Sequence, residues 1–123
     1  MGTMSKKPKF QTNMDAVPMD LKSMIQIQEG AVVSREIYVK GGGTLTIFAF
    51  DKDQGLSEHT APFDAIVQVL EGEVEISIAG KPFLLKRDEL IIMPANAPHA
   101  LKAITAFKML LMMFSAKKES LKE

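Results

Sequence analysis

Cysteine is absent from the 123-residue chain, which removes disulfides, thiolate nucleophiles and cysteine-held metal together. Such a composition is compatible with a reducing compartment. Tryptophan is missing as well, tyrosine occurs once, and there are two histidines. An excess of either charge is also lacking, because 15 Lys and Arg balance 15 Asp and Glu. No global field therefore draws the chain to nucleic acid or to an anionic membrane. Long apolar runs do not occur, and MLLMMF at 109–114 is far too short to span a bilayer. The basic start MGTMSKKPKF is followed by no apolar stretch of signal-peptide length. These absences lead to the expectation of a soluble, cytoplasmic protein.

What is present is an ordinary globular composition, 46% hydrophobic and 24% charged, at a length that suits one domain. A chain of this size buries roughly two thirds of its unfolded surface, so its core needs no covalent staples. Residues 1–23 are polar, contain Pro8 and Pro18, and read as a partly flexible N-terminal arm. The β-rich domain is expected over 24–115, with 116–123 a solvated tail.

Period-2 patterning carries the fold reading. In EGEVEISIAGKP, Val74, Ile76 and Ile78 face one way while Glu73, Glu75 and Ser77 face the other. A helix would spread those charges around its girth, whereas a half-buried strand separates them. Further strands are predicted at Met24–Gln28, Ala31–Lys40, 44–50, Phe83–Leu85, Leu90–Met93 and Phe107–Phe114. The last is apolar at nearly every position, as in a strand covered on both faces. Helix signals are weak, with a turn or two expected in MDLKSM at 19–24. Short strands with glycine turns between them give an all-β fold, a sandwich or small barrel.

The two histidines are the residues most able to carry chemistry. His59 precedes a β-rich run that ends at Gly72, and His99 follows Pro94 and Pro98. Imidazole and carboxylate donors suit manganese, iron, nickel, copper or zinc. A third ligand would come from Glu58, Asp64 or Gln68, although extended chain puts Glu58 on the face opposite His59. Met93, Met109, Met112 and Met113, with Phe48, Phe50 and Phe107, read either as core or as the wall of an adaptable apolar cavity. Ser57 has no identifiable acid partner or oxyanion donors, so it is no nucleophile. Gly41-Gly42-Gly43 opens no helix and is not a phosphate loop.

EHTAPFDAIVQVLEG and MPANAPHA together resemble the two motifs of the cupin superfamily, in order and in spacing. With Gly72 as the closing glycine of the first motif, its two histidine positions are His59 and Ala61. The glutamate position is then Ala65, and the leading glycine position is Asp53. The second motif reads Asp88, Pro94, Asn96, His99 and Ala103. Asp88 and Asn96 stand where the motif has glycine, and both residue types tolerate a left-handed backbone.

The resemblance, over about residues 24–115, implies a small single-domain conserved-barrel cupin. Its fold would be an antiparallel β-barrel or double-stranded β-helix of jelly-roll type, and its assembly a homodimer formed through N-terminal strands. Of four metal-ligand positions, His59 and His99 are retained; Ala61 and Ala65 coordinate nothing and leave room. Asp64 is one residue out of phase with the missing glutamate and would need a bulge to serve. The leading functional expectation is a small-molecule binder with His59 and His99 in the barrel mouth. The alternatives are a metal-dependent oxygenase, isomerase or lyase, with metal on His59, His99 and water, substrate or Asp64, and a barrel that serves as an interaction module.

Overall fold

The computed structural model describes residues 14–115. The expected tail at 116–123 and the first 13 residues of the expected arm lie outside the described residues. The strands are β1 (Val32–Lys40), β2 (Gly43–Phe50), β3 (Gly55–His59), β4 (Phe63–Glu71), β5 (Glu73–Ile78), β6 (Lys81–Lys86), β7 (Leu90–Met93), β8 (His99–Ala103) and β9 (Phe107–Ser115). They form a five-stranded sheet in the order β1-β2-β9-β4-β7 and a four-stranded sheet in the order β3-β8-β5-β6. Every pairing is antiparallel. The fold is the all-β jelly roll expected. No helix among the described residues is long and apolar enough to cross a membrane.

Both sheets feed one core. Val67 and Val69 of β4, Val74 and Ile76 of β5, and Leu101 and Ala103 of β8 are buried in a single cluster with Phe50, Phe107 and Met109. Phe50 and Phe107 are stacked, with ring centroids 4.5 Å apart. In β5 the alternation holds as expected: Val74 and Ile76 are buried, and Glu73 and Glu75 are half-buried.

The five-stranded sheet is covered in part on its second face as well. Ile37, Ile47 and Ala49 are buried there in a separate cluster with Ile25, against which Met14, Leu21, Met24, Ile27 and Leu110 pack. This explains why β2 and β9 are apolar at successive positions, one set facing each cluster. Lys108, buried on that side, donates from Nζ to the Lys22 carbonyl at 2.7 Å, with Glu71 Oε2 at 3.9 Å. The contact ties the segment before β1 to the sheet.

One expected strand is absent. Met24–Gln28 is not a strand; a single 3-10 turn at Leu21–Met24 runs into extended chain that joins neither sheet. Ile25 and Ile27 alternate because they dock on the sheet face, which produces the period of a strand without a ladder. Two strands, β3 and β8, lie outside the expected set; each has five residues, and each is bounded at one end by a histidine.

The turns obey the motif positions. Asp53, Asp88 and Asn96 all have positive φ, at 70°, 72° and 69°. Short polar side chains thus occupy left-handed positions for which the motif has glycine. Gly72 has φ 82°, and a Cβ there would strike the Ala106 carbonyl oxygen and Phe107. Only glycine meets both demands.

Candidate functional site

The ends of β3 and β8 bring the two histidines together. Leu56 pairs with Leu101 and His59 pairs with His99, so three residues of β3 span two of β8. The extra residue is a bulge, and a bulge reverses the facing of the residues beyond it. Without it, Glu58 would stand opposite His99. The imidazole centroids are 4.4 Å apart with the rings at 70°. His99 is buried, with 5% of its surface exposed, while His59 is open to solvent at the mouth.

Each ring is held by its own backbone. His59 Nδ1 lies 2.8 Å from the Ser57 carbonyl oxygen, and His99 Nδ1 lies 3.1 Å from that of Ala97. A carbonyl can only accept, so in the neutral rings the proton sits on Nδ1 and the Nε2 lone pair is left available. Burial pushes the His99 pKa below its ordinary value, the Ala97 hydrogen bond opposes that shift, and the His59 charge adds to it. His99 is accordingly biased toward the neutral form, which can donate a lone pair.

Beside the pair lies a cavity of about 60 Å³. Its wall includes His59, His99, Ala61, Ala65, Met93, Met109 and Met113. The two alanines line it where the motif has donors. Larger hollows on the surface, of about 490 and 430 Å³, lie away from the histidines and are wide open.

His59 and His99 meet; the carboxylates proposed to join them do not line the cavity. Asp64 is exposed, and its Oδ1 accepts a hydrogen bond from the Ala95 amide at 3.0 Å, which fixes the loop before His99. Its neighbour Ala65, 2% exposed, is the inward residue. Glu58 is exposed, and neither it nor Gln68 reaches the cavity wall. Of the methionines named from the sequence, Met93, Met109 and Met113 line the cavity, while Met112 lies on the other face of β9.

Two sheets rolled about one core, with an imidazole pair at one end, define a small jelly-roll barrel with its site at the mouth. The chain belongs to the cupin family: the model of the Cupin domain matches residues 46–114. Among solved structures it is similar to a conserved Streptococcus pyogenes protein of unknown function, at 32% identity and TM-score 0.78. That match covers 95% of this chain and 100% of the other. A cupin 2 conserved barrel domain protein from Leptotrichia buccalis is 40% identical with TM-score 0.76, over 79% of this chain and 47% of that one. A cupin superfamily protein from Desulfitobacterium hafniense is 26% identical with TM-score 0.76, over 80% and 90%. No curated protein matches the chain.

Cupin proteins often bind metals, and the motif places the ligands at four positions. Here two of those positions are Ala61 and Ala65. Among the described residues no three His, Cys, Asp or Glu side chains gather into a metal-holding group. The donors present do not fit a four-ligand nitrogen and oxygen centre.

Proposed function

We propose that the protein binds a small ligand at the barrel mouth, held by His59 and His99. The observation that carries this reading is the pairing of the rings, with both Nδ1 atoms engaged by backbone and both Nε2 lone pairs left to act. Fixing Nδ1 sets the tautomer and orients the ring, a common arrangement for an imidazole that binds through its other nitrogen. An available lone pair accepts from a hydroxyl or amine, or binds a Lewis acid.

Size narrows the ligand. About 60 Å³ is roughly the share of two water molecules in the liquid, whereas organic-ligand pockets run to roughly 300–1,000 Å³. The site suits an ion or a group of a few atoms. The alternative, a metal-dependent enzyme of the oxygenase, isomerase or lyase kind, uses the same histidines but needs a third oxygen or nitrogen ligand. Asp64, already engaged by Ala95, is poorly disposed to supply it.

The reading is tested by nitrogen-15 NMR of the imidazoles with zinc(II) and ethylene glycol as probes. At least one probe is expected to shift the Nε2 resonances of both rings, and His99→Leu to abolish the response at His59. Silence of both rings toward both probes would remove this reading.

A further inference from the structure

Three of the chain's nine methionines line the cavity beside its only two histidines. Their placement is set by register. Ala65 of β4 pairs with Met93 of β7 on one side and with Met113 of β9 on the other. Residues paired across an antiparallel ladder project from the same face, so both methionine side chains stand over the space that Ala65 leaves. Met109 lies two inward positions along β9 from Met113. Met93 is 2% exposed and Met113 half-buried, so the first thioether is turned away from solvent and the second lies toward the mouth.

We propose that the cavity is a soft-metal site, in which His59, His99, Met93 and Met113 hold a single copper(I) ion. The inference rests on the reading of the His59/His99 pair as a ligand site and names the ligand. Thioether and imidazole are the donors copper(I) favours, whereas manganese, magnesium or calcium call for the oxygen ligands that are missing from the wall. Charge gives the same result. All four donors are neutral, and among the described residues no carboxylate lines the cavity, so any bound cation keeps its full charge in a largely apolar cavity that opens at His59. Burying a single charge costs far less than burying two, because the Born penalty grows with the square of the charge. Volume is the third argument, since about 60 Å³ admits an ion and not an organic substrate.

The structure also shows why a softer donor set arises here. A carboxylate at position 65 would fill the space between Met93 and Met113; alanine leaves it to them. Methionine side chains are unbranched and adaptable, so closing on an ion needs only rotamer changes. The rings need none, being fixed through Nδ1 by Ser57 and Ala97.

The experiment is anaerobic titration of the metal-free protein with copper(I) against a chromophoric copper(I) chelator, with copper X-ray absorption on the loaded sample. The wild type is compared with Met93→Leu/Met113→Leu, a near volume-conserving change expected to keep the fold, which circular dichroism checks. One copper(I) per chain is expected, with sulfur scatterers at the metal. The double leucine variant should lose roughly 100-fold in affinity, two decades on the Kd scale, while its zinc(II) response at the histidines stays as in the wild type. Equal copper(I) affinity in the leucine variant would overturn the thioether assignment and leave the histidine pair standing. Absence of copper(I) uptake by the wild type would overturn the inference; if zinc(II) and ethylene glycol also fail to move the imidazoles, the histidine reading falls with it.

Discussion

His59 stands directly across the β3–β8 ladder from His99 because β3 spends three residues where β8 spends two. The bulge turns His59 toward the cavity at the barrel mouth and Glu58 away from it. The pair is therefore a product of backbone geometry in β3 as much as of the two side chains.

In metal-free protein both rings are expected as Nδ1–H tautomers, read from their nitrogen-15 shifts. His99 should titrate below 6.5, its ordinary value, because burial penalises the charged ring. Among the described residues His59 is the only other titratable group on the cavity wall. An unfolded chain then takes up the proton first, so this contribution to stability is full above about pH 6.5 and is lost as pH falls toward the folded-state value. In His99→Leu the slope of stability against pH across that range should flatten; an unchanged slope would show that His99 is not its source.

Restoring the motif should change the metal preference. Ala61→His/Ala65→Glu supplies the two missing donors, and its buried carboxylate should cost the metal-free protein about 3 kcal/mol. A divalent ion such as manganese(II) should return that stability through binding to the folded form. Thermal unfolding with and without the ion measures both effects.

Left-handed turns make a graded prediction. Gly72→Ala meets both a positive φ and the Ala106 carbonyl oxygen, and should cost about 3–5 kcal/mol. Asp88 is exposed, and its ion pair with Arg87, at 3.9 Å, lies in solvent, where such pairs contribute little. Asp88→Gly should therefore stay within about 0.5 kcal/mol of the wild type, while Asp88→Ala costs about 1 kcal/mol. Denaturant unfolding ranks the three.

Asp51 links the turn before β1 to the end of β2. Its carboxylate accepts from the Gly30 amide at 2.7 Å and from the Lys52 amide at 2.9 Å. Those hydrogen bonds hold its pKa below the ordinary 3.8. A depressed carboxyl stabilises the fold above its unfolded value and loses that contribution as pH falls through the folded one. Acid unfolding of Asp51→Asn should accordingly begin from a less stable protein and show a shallower loss below about pH 4.

Much of this architecture is legible in the residues. The alternation of Val74 and Ile76 with Glu73 and Glu75 identifies β5, and the apolar run of β9 signals a strand covered on both faces. The motif spacing alone puts His59 and His99 side by side. Other features escape for physical reasons. The bulge before His59 leaves no mark in Ser57 and Glu58, because register belongs to two strands at once. Ile25 and Ile27 imitate a strand because docking on a sheet selects the same period as pairing within one. Met93 and Met113 look like ordinary core until β4, β7 and β9 are laid side by side and Ala65 falls between them.

The segment over residues 14–27 covers the outer face of the five-stranded sheet over Ile37, Ile47 and Ala49, and leaves Leu90 and Ile92 of β7 and Phe114 of β9 exposed. A second chain that stacked over β1 and β2 would first have to displace Ile25 and Ile27 from Ile47 and Ala49. The corresponding face of the four-stranded sheet presents Glu73, Glu75 and Ser77 beside Leu84, which is 65% exposed. Among the described residues β1 and β7 stand at the edges of one sheet and β3 and β6 at the edges of the other. An assembly along β3 would place the histidine mouth at the seam between subunits, where the neighbour would gate it.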